Sequence, residues 1–119
     1  MSAPVTVIIA YDVAFWQYAE RMFPQNPAVQ LAFKDNPAGA ETAAFRNGSL
    51  QGAYFIVAAR AVGLDCGPMS GFDNTMVDEA FFAETMFRSN FLCNIGYGDA
   101  SKTFKRLPRL DFDVACQVL

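Results

Sequence analysis

AETAAFRNGSLQGAYFIVAARAV, Ala40 to Val62, is the stretch on which the reading of the fold turns. Phe45, Leu50, Tyr54, Val57 and Ala61 recur at helical spacing, so the pattern predicts one long helix with an apolar side. Gly63 follows at the position where a helix commonly ends on a residue with positive φ. Ala44, Gly48 and Gly52 repeat every four residues and form a second, smooth stripe. A glycine inside a helix costs about 1 kcal/mol relative to alanine, so close packing has to offset two of them. The stripe is therefore expected to admit another helix, backbone or subunit, with the helix central and a sheet against another of its sides.

Working outward, Val5–Tyr11 (VTVIIAY) is rich in β-branched residues and predicts a strand buried on both faces. Val13–Phe23 has helical spacing, with Asp12 as N-cap and Pro24 as terminator. Three prolines and two asparagines punctuate Pro24–Gly39, which predicts a loop with one helical turn around Val29–Phe33. That loop admits two readings, a surface connection or a lid over a binding site. Beyond Gly63, GLDCGPMSGFD carries three glycines and a proline directly after the helix. Cys66–Met69 is a candidate third strand. Asp73 can cap a short helix over Asn74–Phe82, and Asn90–Ile95 reads as a second buried strand. Elements in this order give an α+β chain, a small sheet packed against a long central helix, in one domain over residues 1–119.

Composition removes several function classes. The net charge is −3, and the nine Lys and Arg form no long basic stripe, so nucleic acid is not an expected partner. Leu50–Leu64 is the most apolar run, yet it contains Gln51 and Arg60 and is too short for a bilayer core of about 30 Å. Met1–Pro4 lacks the basic and apolar regions of a signal peptide, so a cytoplasmic protein without membrane attachment is expected. Cys66, Cys93 and Cys116 are widely spaced and there is no histidine, which argues against a disulfide framework, a zinc site and histidine-based nucleophilic catalysis. The cysteines read as buried thiols. Hydrophobic residues make up 53% of the chain, including 12 Phe, more than a small domain hides unaided, so a homodimer is expected. Lys102, Lys105, Arg106 and Arg109 are the one local concentration of positive charge. They read either as a solvated loop or as an anion site.

FRNGSLQGAYFIVAARAVGLDCGPMSGFD, SNFLCNIGYGD and RLPRLDFDVAC, in that order, resemble the carboxyl-terminal part of FMN-dependent nitroreductases. The nearest branch is that of the malonic semialdehyde reductases and 3-hydroxypropionate dehydrogenases. The resemblance implies a truncated nitroreductase-like fold without the family's amino-terminal FMN-binding segment. It implies FMN as cofactor, NAD(P)H as co-substrate, and hydride transfer to a small-molecule aldehyde, quinone or nitro acceptor. It further implies that the main chain of Pro68, Met69, Ser70 and Gly71 runs along the flavin ring and that Arg106 or Arg109 reaches the FMN phosphate, with the larger share expected of Arg109. No catalytic side chain and no metal ligand are implied. The alternative is a non-catalytic remnant that keeps the dimerising core as an interaction module, or that needs a second chain to complete its site.

Overall fold

The computed structural model describes residues 3–119. Residues 1 and 2, part of the Met1–Pro4 stretch read above as carrying no signal peptide, lie outside the described residues. The centre of the sheet is the strand that sequence placed last. Labelled in chain order, β1 is Val5–Asp12, β2 is Asp65–Met69 and β3 is Phe87–Gly96, and the spatial order is β1-β3-β2 with both contacts antiparallel. Val5 pairs with Ile95 and Asp12 with Phe87, while Asp65 pairs with Gly96 and Met69 with Leu92. The register slips once: Ile9 pairs with Phe91 but Ala10 with Ser89, so Asn90 is an extra residue in β3. Such a bulge bends the strand and re-aims one side chain.

The candidate third strand thus exists, and Pro68 fits it because an edge strand tolerates a residue with no N–H. The expectation that β1 is buried on both faces is corrected. Val5 and Thr6 are exposed and the remaining β1 residues only half-buried, because β1 is also an edge strand. Within β3, Ser89 and Cys93 are the buried positions.

The long helix, α3, spans Pro37–Ala61 and starts three residues earlier than the pattern indicated. Asn36 caps it, its Oδ1 accepting from the Gly39 N–H at 3.0 Å. Proline is tolerated next to this cap because its missing N–H would have no helical partner there. At the other end Gly63 has φ 87°, and two hydrogen bonds close the terminus: Gly63 N–H to the Arg60 carbonyl at 3.1 Å and Leu64 N–H to that of Ala59 at 3.0 Å. This is the predicted left-handed stop.

The two stripes of α3 exchange the roles expected of them. Ala40, Ala44, Gly48, Gly52 and Ala59 are the buried positions, and Gly48 and Gly52 face the sheet of the same chain. A Cβ built on Gly48 would stand 2.9 Å from Tyr11 Cβ, and one on Gly52 would stand 2.5 Å from Phe91 Cζ and 3.1 Å from Ile9 Cγ2. The smooth stripe is therefore an intramolecular helix–sheet contact rather than a subunit contact. Leu50, Tyr54, Val57 and Ala61 are turned outward and exposed, and Phe45 is exposed too, though its ring meets Tyr11 of β1 edge-on at 5.6 Å. The sheet approaches where the helix has no side chains, which leaves the bulky side free.

Shorter elements adjust the remaining expectations. Val13–Phe23 is not one helix: a 3₁₀ turn over Phe15–Tyr18 precedes a single turn, α1, Ala19–Met22. Asp12 still caps locally, its Oδ1 accepting from Ala14 N–H at 2.8 Å. The Pro-rich loop holds α2, Ala28–Lys34, whose Phe33 meets Phe15 edge-on at 4.9 Å. Helix α4, Asn74–Phe81, carries the predicted cap, with Asp73 Oδ1 accepting from Met76 N–H at 3.1 Å. A last short turn, α5, spans Phe112–Ala115. Cys93 is buried and Cys66 half-buried, but Cys116 is exposed, since the whole stretch from residue 101 to 119 lies open to solvent. The radius of gyration, 18.0 Å, reflects this arm, as a folded chain of this length ordinarily has about 13.5 Å.

Candidate functional site

The end of β2 presents free main chain beside the long helix. Because β2 is an edge strand, one row of its peptide groups is left over by the sheet. Ser70 and Gly71 follow, and among the described residues neither N–H is engaged by another backbone group outside the regular elements. Pro68, Met69 and Ser70 form one wall of a groove of about 340 Å³; Ser49, Ala53 and Ile56 of α3 and Phe91 of β3 form the rest. That volume is at the lower end of small-molecule sites, which run from about 300 to 1,000 Å³. Gly71 lies just beyond, with no atom within 4 Å of where its Cβ would be.

Three of the four main-chain residues singled out by sequence are thus brought to one groove, and Gly71 adjoins it. Arg106 and Arg109 do not line it. They lie in the exposed arm, whose first turn is fixed by two carboxylates. Asp65 holds the Arg60 guanidinium and accepts from Gly98 N–H at 2.7 Å, an approach that leaves no room for a side chain on Gly98. Asp99 accepts from Ser101 Oγ at 2.6 Å and from Ser101 N–H at 3.0 Å, and its carboxylate lies 3.6 Å from Lys102 Nζ. The Ser101 bonds, more than the lysine, hold the Asp99 carboxyl below its ordinary value. Further along, Arg109 turns back to donate to the carbonyl of Leu107 at 2.9 Å. Arg106 has no hydrogen bond or ion pair among the described residues.

Sequence reasoning missed the polar contacts that join β3 to Ser49 in the groove wall and to α4. The bulge residue Asn90 donates through Nδ2 to Ser49 Oγ at 2.9 Å, and Ser49 Oγ donates in turn to the Phe45 carbonyl at 2.9 Å. Next to it, the buried Ser89 is tied to α4: Asn74 Nδ2 donates to the Ser89 carbonyl at 2.8 Å and to its Oγ at 2.9 Å, and Ser89 N–H donates to Asp78 Oδ1 at 2.8 Å. The signal available in sequence was the polar pair Ser89-Asn90 at the head of an apolar strand.

A larger depression, about 660 Å³, lies between the far end of β1 and the other flank of α3, with Tyr11, Asp12, Phe15, Asn47 and Gln51 in its wall. No sequence-predicted site residue lines it. The Tyr11 phenol is pushed above its ordinary value, chiefly by burial and then by Glu41 and Asp78. Among the described residues no three metal-ligating side chains are grouped, and no helix is long and apolar enough to cross a membrane.

This architecture has close counterparts among solved structures. It superposes on a nitroreductase from Exiguobacterium sibiricum in complex with FMN with a TM-score of 0.84 at 16% identity, covering 98% of this chain and 63% of that one. An NAD(P)H:FMN oxidoreductase from Staphylococcus epidermidis gives a TM-score of 0.80 at 19% identity, over 98% and 62%. The fold is nitroreductase-like, in α+β form. In sequence the chain is 58% identical over 118 residues to a Ralstonia pickettii protein carrying the name NADH dehydrogenase/NAD(P)H nitroreductase HadB, covering 98% of this chain and 60% of that protein. It is 55% identical over 120 residues to a similarly named protein of Cupriavidus pinatubonensis, over 99% and 61%. No protein-family model matches it. The chain is thus similar in fold and in sequence to proteins named nitroreductases, and it spans about three fifths of the length of the curated relatives it matches.

Proposed function

We propose that the chain is the ring-holding part of a nitroreductase-like, FMN-dependent oxidoreductase that passes hydride from NAD(P)H to an aldehyde, quinone or nitro acceptor. The observation that carries this reading is the groove beside Pro68, Met69 and Ser70. It offers apolar walls from Ala53, Ile56, Met69 and Phe91, with peptide N–H groups at Ser70 and, just beyond the groove, Gly71 that no backbone group outside the regular elements engages among the described residues. The donor set suits a ring whose edge accepts hydrogen bonds. When bound, FMN supplies the two-electron chemistry, so the absence of histidine is no obstacle. The chain's part is position: main chain from Pro68 to Gly71 along the ring, and Arg106 with Arg109 for the phosphate, where a charge-assisted contact is strongest. Malonic semialdehyde is the acceptor to test first, on the resemblance of the quoted stretches.

The working form in this reading is a cytoplasmic homodimer. Its support is the exposed apolar side of α3 together with the arm, where Phe104, Leu107, Leu110 and Val114 are all at least 70% exposed. A monomer would leave these side chains in water.

The test is the colour and reactivity of purified protein. A yellow flavin band that survives desalting, or saturable binding of added FMN followed by bleaching with NADPH under anaerobic conditions, is the expected result. Colourless protein that also fails to bind added FMN would overturn the oxidoreductase reading for this chain and leave the non-catalytic alternative.

A further inference from the structure

Three observations converge on one hydroxyl. The bulge in β3 places an asparagine, rather than the next apolar residue, against α3. Bulges recur beside functional sites because they aim a chosen side chain out of the strand's alternation. The hydroxyl that Asn90 meets, Ser49 Oγ, is already committed twice, since its proton goes to the Phe45 carbonyl and one lone pair receives the Asn90 amide. A serine hydroxyl has one donor and two acceptor sites, so a single acceptor site is left. Finally, Ser49 stands in the wall of the groove with Ala53, Ile56, Phe91, Pro68 and Met69, which offer no side-chain hydrogen bond other than a weak thioether acceptor, and with Ser70, whose hydroxyl is not fixed by a partner among the described residues. The groove thus presents hydrogen-bond donors from the main chain after Met69 and one fixed acceptor from α3.

We infer that Ser49 is a specificity-determining residue that accepts a hydrogen bond from a ring N–H of the bound flavin, and that Asn90 is the positioning residue that turns the Ser49 lone pair toward it. The inference rests on the flavin reading above. Oxidised flavin carries one ring N–H, at N3, flanked by two carbonyl groups. A free serine hydroxyl could serve such a ring as donor or acceptor, but Ser49, with its proton held by Phe45, can only accept. The site would consequently favour ligands with an N–H on that edge over alkylated analogues, and Asn90 would act only through Ser49.

The experiment is a fluorescence titration of the full chain with FMN and with 3-methyl-FMN, which lacks the N3 proton, for wild type, Ser49→Ala and Ser49→Thr. A neutral hydrogen bond corresponds to a few-fold to roughly tenfold in affinity. Wild type should prefer FMN by about that factor. Ser49→Ala should lose the preference through weaker FMN binding with 3-methyl-FMN binding unchanged, and Ser49→Thr should restore it. Thermal melts of the three proteins establish that each is folded. A preference of the same size in wild type and Ser49→Ala, or none in either, overturns the assignment while leaving flavin binding intact. Wild type that binds neither flavin overturns both the assignment and the reading on which it rests.

Discussion

Replacing Gly48 by alanine sets two known effects against each other on one atom. In an isolated helix the change is stabilising by about 1 kcal/mol. Here the new Cβ would lie 2.9 Å from Tyr11 Cβ, against a favourable carbon–carbon separation of about 3.5–4.0 Å. Tyr11 Cβ is one bond from the β1 backbone and has no rotamer that removes it, so α3 and β1 must separate. The carbonyl of Ala10, 3.6 Å from the same point, limits sideways escape. Overpacking of this kind costs about 1–3 kcal/mol, and the rigid neighbour puts Gly48 in the upper part of that range. The net expectation is a loss of about 1–2 kcal/mol, or a drop of roughly 3–12 °C in the melting midpoint for a chain of this size. Circular dichroism melts at two protein concentrations measure it, with Gly71→Ala as a near-neutral comparison because its Cβ would meet nothing within 4 Å. The loss should be independent of concentration, since the contact lies within one chain. A raised midpoint would refute the clash, and a loss confined to dilute protein would return the stripe to a subunit interface.

Removing the Asn74 side chain should destabilise by about 1–3 kcal/mol in urea unfolding, because Ser89, only 4% exposed, would keep a carbonyl and a hydroxyl without their partner. The raised Tyr11 phenol makes the fold pH-sensitive on the alkaline side: its contribution is complete below the ordinary value of 10.0 and is lost as pH rises through the higher folded value. Ultraviolet titration of wild type against Tyr11→Phe should show one phenol ionising late, and an ordinary midpoint for Tyr11 would contradict its burial. If the arm grips the FMN phosphate, wild type should prefer FMN to riboflavin, and Arg106→Ala should lose about ten- to a hundredfold of that preference. Arg109→Ala should lose less, since Arg109 already donates to its own loop at Leu107; the reverse order would show that this bond opens on binding.

Local chemistry was legible where a few neighbouring residues decide the outcome. Gly63 stops α3, Asp73 caps α4, and Val5–Tyr11 is a strand, because capping, positive φ and β-branching act within a turn or two of the chain. Pro68 to Gly71 stood out for the same reason. Local spacing could also mislead, as it did over Val13–Phe23: its apolar spacing fits a helix, yet only isolated turns form next to the strand end at Asp12. Which side of α3 meets the sheet was not decidable from periodicity, since a stripe of bulky residues and a stripe of small ones are both regular. Only the tertiary structure decided it, by the distance of approach: β1 and β3 come so near that glycine alone fits, and Leu50, Tyr54 and Val57 are left outside. The Ser49–Asn90 contact was hidden in the same way. It joins residues 41 positions apart through a one-residue slip in strand register, and register is fixed by the packing of whole strands, which no local pattern in the sequence carries.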